Sequence, residues 1–177
     1  MAGSARDERA WIRGAQSGSV SDLEALFRHH WPRAYRAAYL VVHDSAAAED
    51  IAQESFLAAL RNLERFDNRR PFGPWLHRIV VNRAIDWSRA RALRREGGAE
   101  MEHIGAKTPP ETEDAEALAA ALSELSPEHR AVIVMRHLLD YTPGEIAQAL
   151  ALPRGTVNSR LRRGLDELAG RLRGELR

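Results

Sequence analysis

Asn158, Ser159, Arg162 and Arg163 fall on one side of a stretch whose other side is Val157, Leu161, Leu165, Leu168 and Leu172. At helical spacing this sets an amide, a small hydroxyl and two guanidinium groups on the face opposite an apolar stripe. A guanidinium clamps guanine or pairs with phosphate, an asparagine amide reads adenine, and a serine permits close approach. The first turn of a helix also favours a phosphate. Upstream, Thr142-Pro143-Gly144-Glu145 forms a capping box that starts a short helix ending near Leu150. Ala151-Leu152-Pro153 then turns the chain, and a second helix begins near Arg154. Two short helices, a tight turn and a basic second helix describe a helix-turn-helix. A plain helical hairpin has the same outline.

A second basic zone lies earlier. From residue 61 to residue 95 the arginines are Arg61, Arg65, Arg69, Arg70, Arg78, Arg83, Arg89, Arg91, Arg94 and Arg95, against only Glu64, Asp67 and Asp86. Aromatic residues are interleaved: Phe66, Phe72, Trp75 and Trp87. Aromatic rings stack on unpaired bases while arginines hold the backbone. A loop with Asn68 between two aromatics offers a pocket for an extruded base. Core packing competes for the same side chains: Trp75 fits a helix interior, and Phe66 and Phe72 suit pinning the loop down.

The elements that must position these groups read as helices. Ser19 caps a helix from about Val20, with Leu23, Leu26, Phe27, Trp31 and Tyr35 at helical spacing. Pro32 is expected to kink or divide it. Asp44 or Ser45 caps the next helix, which carries Ile51, Phe56, Leu57 and Leu60. A loop follows, and a third helix starts near Trp75. Residues 94–112 hold Gly97, Gly98, Gly105, Pro109 and Pro110 and read as a flexible linker. Beyond it comes a short helix through Leu118, Leu122 and Leu125, then Ser126-Pro127 as N-cap and first helical position, then a helix ending near Leu139-Asp140. The fold expected is all-α: two small helical domains, 1–93 and 113–177, joined by that linker.

Bulk properties narrow the chemistry. The chain has 177 residues, 44% of them hydrophobic, enough for ordinary cores. It contains no cysteine, so disulfides and thiolate metal sites are excluded. The net charge is only +1, but an acidic run at Glu111, Glu113, Asp114 and Glu116 separates the two basic zones. Lys107 is the only lysine, so an arginine-rich composition accounts for part of this pattern. No apolar run is long enough to span a bilayer, and residues 1–10 do not resemble a signal segment. A cytoplasmic protein without membrane insertion is expected. His29 and His30 are adjacent and cannot share a helix face as paired metal ligands do, and no phosphate-binding glycine loop is present. No enzyme activity and no cofactor are expected.

The stretch AAAEDIAQESFLAALRNLERFD, followed by FGPWLHRIVVNRAIDWSRAR, resembles region two of the extracytoplasmic-function group of the sigma-70 family. ALSELSPEHRAVIVMRHLLDYTPGEIAQALALPRGTVNSRLRRGLDEL resembles region four. Two blocks in this order, with a linker of this length, cover most of the chain. The resemblance implies a promoter-specificity subunit that binds core RNA polymerase through its beta and beta-prime subunits, recognises the minus-thirty-five and minus-ten elements, and promotes DNA melting. It implies that Asp50, Gln53, Glu54 and Phe56 dock on the polymerase clamp helices. It places Phe66, Asn68, Arg69, Arg70 and Phe72 around a flipped minus-ten base, and Asn82, Asp86 and Arg89 along that element. It assigns Arg154, Thr156, Asn158, Ser159, Arg162 and Arg163 to the minus-thirty-five element. An anti-sigma factor is the implied partner of the free subunit.

The chain departs from the common pattern at named positions. Where family members often have GTVKSRLHRAR, this chain has GTVNSRLRRGL, so Asn158 replaces a cation, Arg162 an aromatic or histidine, and Gly164-Leu165 an alanine and an arginine. FGPWL stands for the frequent FRTWL, placing Gly73 where an arginine is common. Two other functions compete. A stand-alone helix-turn-helix regulator would need an effector or dimerisation domain in residues 1–93, and leaves DIAQESF without a role. A helical adaptor that binds only protein would make both basic zones incidental.

Overall fold

The computed structural model describes residues 5–96 and 113–175, with side chains for 7–94 and 117–173. The expected linker lies outside the described residues from position 97 on. Every element among the described residues is helical: α1 (Ala5–Gln16), α2 (Val20–Val42), α3 (Ser45–Arg61), a 3-10 turn (Leu63–Arg65), α4 (Phe72–Glu96), α5 (Glu113–Ser123), α6 (Pro127–His137), α7 (Pro143–Ala149) and α8 (Arg154–Glu175).

Local capping sets most of the starts. Ser19 Oγ accepts from the Asp22 amide, Asp44 Oδ1 from Ala47, and Ser126 Oγ from His129. Each satisfies an amide that the first turn leaves without a carbonyl, and such a cap typically contributes about 1 kcal/mol. Thr142 and Glu145 close the expected box: Glu145 Oε2 takes both the Thr142 amide and hydroxyl at 2.7 Å. At the turn between α1 and α2, Gly18 takes a φ of 88°, the left-handed region that a glycine enters without a Cβ penalty.

Three boundaries differ from expectation. α1 was not anticipated; it is anchored by Ile12, which is fully buried, and by Glu8, whose Oε1 lies 2.9 Å from His30 Nε2. Pro32 does not divide α2, which continues unbroken to Val42. Pro32 and Arg28 are both solvent-exposed, so water can serve the Arg28 carbonyl that proline cannot. α4 starts at Phe72 rather than near Trp75.

α1 to α4 pack around α2, whose buried Ala34, Ala37, Ala38 and Val41 form a low surface for α3 and α4. Ala48, Ala52, Ala59 and Ala84, also buried, allow the helices to approach closely. In the second group, α5, α6 and α7 pack on α8. Val157, Leu161 and Leu168 of α8 are buried, but Leu165, expected on the same stripe, is 39% exposed. The inward position is Gly164. A Cβ there would sit 3.0 Å from Ile133 Cδ1 and 3.2 Å from His129 Cβ. The stripe 157, 161, 164, 168 follows the 3.6-residue period, whereas 165 turns away from it. α6 is shared: it packs on α7 and α8, and also on α2 and α4 of the first group.

Candidate nucleic-acid interface

The loop after α3 is held from behind. Gln16, at the end of α1, donates its Nε2 to the carbonyls of Leu63 and Phe66 at 3.0 and 2.9 Å. Leu63 is buried, and the Phe66 ring stacks on Trp75 with centroids 4.6 Å apart. Phe72 is fully buried and meets both rings edge-on. Phe66, Asn68 and Trp75 are half-buried, Arg69 and Arg70 exposed. Phe72 is thus the pin, and Phe66 and Trp75 keep accessible ring surface. Within the loop, Arg69 pairs with Asp67 at 2.9 Å. That hydrogen bond, reinforced by the Arg69 amide, holds the Asp67 carboxyl below the usual carboxylate range. Among the described residues, Arg65, Arg70 and Arg78 form no ion pair.

Asn82, Asp86 and Arg89 follow on α4 at helical spacing. Asp86 and Arg89 are exposed and Asn82 is half-buried. Asn82 Nδ2 donates to the Arg78 carbonyl at 2.8 Å and to the Ala149 carbonyl at 3.3 Å. Gly73 is buried at the base of this face, and a Cβ there would stand 3.3 Å from His30 Cε1. His77 is also buried, and neither ring nitrogen has a hydrogen-bond partner. Burial, with His30 and Arg33 nearby, pushes its pKa down to about 4. It is therefore neutral near pH 7.

The expected protein-docking residues lie on α3. Asp50, Gln53 and Glu54 are exposed and share one face. Glu54 pairs with Arg83 of α4 at 2.6 Å. Phe56 is only 3% exposed, its ring 4.9 Å from Phe27. Leu57 is 51% exposed and continues the face of Asp50, Gln53 and Glu54. It was not singled out from the sequence, because the pattern alone does not tell which of two adjacent apolar residues points outward.

On α8, Arg154, Asn158, Arg162 and Arg163 are exposed and Thr156 and Ser159 half-buried. The Thr156 amide donates to the Pro153 carbonyl at 2.9 Å, which starts the helix. The turn from α7 uses Ala151 at a φ of 52°. Among the described residues Arg154, Arg162 and Arg163 form no ion pair, so a row of cations is available along the first turns. No group of side chains able to hold a metal ion occurs among the described residues.

Comparison with known proteins gives matches along most of the chain. Residues 26–94 match the family model for sigma-70 region 2, and residues 115–168 that for sigma-70 region 4. The chain is 34% identical over 159 residues to the ECF RNA polymerase sigma factor SigL of Mycobacterium tuberculosis, covering 86% of this chain and 89% of the relative. It resembles CnrH, solved in complex with the cytosolic domain of CnrY, at 27% identity and a TM-score of 0.70, covering 95% of this chain and 98% of that one. The sigma factor RpoE bound to the anti-sigma factor NepR from Bartonella quintana has a TM-score of 0.72 at 22% identity, covering 87% and 98%, a likeness of fold.

Proposed function

The chain belongs to the family of ECF RNA polymerase sigma factors, and from that premise we propose how its parts divide the work of promoter recognition. It is a promoter-specific initiation factor that acts with core RNA polymerase. Residues 1–93 bind the polymerase and the minus-ten element, 113–177 bind the minus-thirty-five element, and 94–112 connect them. The alternative of a stand-alone regulator is set aside, because residues 26–94 match region 2 rather than an effector domain.

The carrying observation is the pairing of two distinct surfaces. One is the exposed row Arg154, Arg162 and Arg163, without ion pairs among the described residues, beside Asn158 and Ser159 on a helix of the right size for the major groove. The other is the loop of Phe66, Asn68, Arg69 and Arg70, with stacked Phe66 and Trp75 at its base. Duplex reading falls to the first, and holding an unpaired strand to the second. Stacking and pocket contacts offset the cost of unpairing. Phe72 supports that loop from the core, while Asn82, Asp86 and Arg89 extend its surface along α4. Thr156 lies at the start of the reading helix.

Asp50, Gln53, Glu54 and Leu57 form the polymerase-facing surface, with Phe56 fixing the helix from beneath. The contact is with the beta and beta-prime subunits. The chain itself carries out no chemistry and needs no cofactor; bond formation belongs to the polymerase, in the cytoplasm. No helix among the described residues is long and apolar enough to cross a membrane. The relative RpoE was solved with an anti-sigma factor, and we assign a partner of that kind to this chain.

The test is transcription by sigma-free polymerase on a library of duplex promoter candidates. Discrete starts sharing upstream elements, lost on Glu54→Arg or Arg163→Ala, are expected. Absence of both polymerase binding and transcription above core polymerase alone would overturn the reading.

A further inference from the structure

We propose that α1 acts as a ruler for the minus-ten loop: Glu8 and Gln16, on its inward side, hold the two ends of that loop and set the width of its mouth. α1 spans Ala5–Gln16 and so lies outside residues 26–94, the part that matches sigma-70 region 2. Gln16 holds the near end of the loop through the Leu63 and Phe66 carbonyls. Glu8 holds the far end. Its Oε1 lies 2.9 Å from His30 Nε2, and the amide of Phe72, the first residue of α4, also hydrogen-bonds to its carboxylate. The two holding side chains are separated by about 12 Å along the helix, at about 1.5 Å per residue.

Their aim is fixed by the packing of α1. Ile12, between them, is fully buried, so positions 8, 12 and 16 face inward at helical spacing. A Cβ at Gly14 would overlap the Asp22 carboxyl, so α1 sits directly on α2 at that point. His30 is buried, and its ring lies 5.1 Å from that of Phe72. Glu8 therefore fixes Phe72 twice, at its amide and, through His30, at its ring. Gly73 belongs to the same arrangement. A Cβ there would stand 3.3 Å from His30 Cε1, so any side chain would press on the imidazole that Glu8 holds.

The electrostatics favour a firm hold. The hydrogen bond from His30 keeps the Glu8 carboxyl below the usual carboxylate range against the opposing effect of burial, with the His30 and His29 rings and the Phe72 amide adding to it. Glu8 is an anion near pH 7, and an anion accepts hydrogen bonds more strongly than a neutral oxygen. Phe66 and Trp75, stacked at 4.6 Å, then border an opening whose ends are already set. A base entering a preorganised pocket meets less ordering cost.

This proposal rests on the assignment of the loop to the minus-ten base. Glu8 is a positioning residue, acting through Phe72 and His30. Fluorotryptophan incorporation and fluorine NMR give a readout in the full chain that needs no promoter. The chain has four tryptophans, and Trp75→Phe and Trp87→Phe assign the two on α4. Glu8→Ala and Gln16→Ala should each shift the Trp75 line and leave the Trp87 line in place. Gly73→Ala reaches the same contact with both holding residues present and should also move the Trp75 line. Binding to core polymerase through α3 should be unchanged. Promoter opening, read by permanganate on a promoter from the transcription test, should fall about fivefold in each holding variant, the worth of one net hydrogen bond. Glu8→Gln, which keeps an acceptor oxygen, should recover part of it, and Glu8→Lys none. One rigid ruler also predicts that Glu8→Ala with Gln16→Ala lowers opening little further than either alone, although their losses of thermal stability add. An unmoved Trp75 line, or losses of opening that add, would overturn the ruler. Asn68→Ala with Arg70→Ala separates the two ideas. If that pair lowers opening while the Glu8 and Gln16 variants do not, the loop is correctly assigned and the ruler is wrong. If neither set affects opening, the loop assignment itself fails, and the ruler with it.

Discussion

Arg89 Nε lies 2.8 Å from Glu128 Oε1, so an exposed guanidinium of α4, on the face proposed for the minus-ten strand, is held by a carboxylate from α6. Burial pushes the Glu128 carboxyl up, but the hydrogen bond from Arg89 and its charge outweigh this and leave it below the usual range. The pair therefore survives mild acid. Other groups at the same contact do not.

His77 and His43 are the acid-sensitive ones. His77 faces His30 and Arg33 of α2 and the Tyr141 ring, with Glu145 beyond it; His43 faces Arg130 of α6. Burial first, then the neighbouring His30 and Arg33 for His77 and Arg130 for His43, bring each pKa down to about 4. The unfolded or separated chain takes up a proton near 6.5, whereas the packed imidazole does so only near 4. Stability is therefore full above about 6.5 and falls as pH drops through that window, by up to about 3 kcal/mol per imidazole. His77→Leu removes two unpartnered polar atoms at nearly equal volume. It should flatten the acid limb between pH 6.5 and 4 in thermal melts and raise the melting temperature at pH 6. A variant with the wild-type pH profile would show that packing leaves the His77 pKa where it is in the unfolded chain.

Leu57 and Phe56 provide a sharper test because they are neighbours with opposite environments. Leu57→Asp changes an exposed side chain and should alter stability by under about 0.5 kcal/mol. At the centre of a docking face it should weaken core polymerase binding at least about tenfold. Phe56→Ala empties a core site and should cost about 3–5 kcal/mol. Titration with core polymerase alongside thermal unfolding distinguishes the two. Full polymerase affinity in Leu57→Asp would move the docking face elsewhere.

How much of this was legible in the sequence depended on distance along the chain. Ser19, Asp44, Ser126 and the Thr142-Glu145 box were readable because a cap is a bond over three residues. The exposed polar side of α8, with Arg154, Asn158, Arg162 and Arg163, was readable for the same reason. Leu165 turns outward because the neighbouring Gly164 takes the packing position, which a leucine at helical spacing hides in the sequence. α1 escaped notice because its core contribution rests on Ile12 amid mostly polar neighbours, and its other anchor, His30, lies 22 positions beyond Glu8. Arg33 with Asp140, and Arg89 with Glu128, lie 107 and 39 residues apart, and no local pattern signals such pairs.

Gln16 is a positioning residue that the motifs did not reveal. Its amide nitrogen serves two carbonyls at the base of the loop, and Gln16→Ala would leave both without that donor. The expected stability loss is about 1–2 kcal/mol. Polymerase binding through α3 should be unaffected, while open-complex formation, read by permanganate reactivity of unpaired thymines, should drop. Restoration of opening by Gln16→Asn but not by Gln16→Leu would assign the effect to the hydrogen bonds. Equal opening in all variants would show that the loop needs no such support.

The α8 face predicts a salt signature. Arg154, Arg162 and Arg163 are exposed and unpaired among the described residues, so replacing any one by alanine should leave stability within about 0.5 kcal/mol. Each arginine that meets a phosphate should reduce the slope of log affinity against log salt by about 1, for every duplex sequence alike. An arginine that clamps guanine should instead cost about 1–3 kcal/mol at one base pair and relax the preference there. Gly164→Val is the structural control. Its side chain would press on Ile133 and His129, destabilising the α6–α8 packing by about 1–3 kcal/mol while leaving the charged face intact. Below its melting temperature that variant should keep the wild-type salt slope. If it loses the slope while still folded, the spacing of α6 and α8, and not the row of arginines alone, sets the contact with DNA.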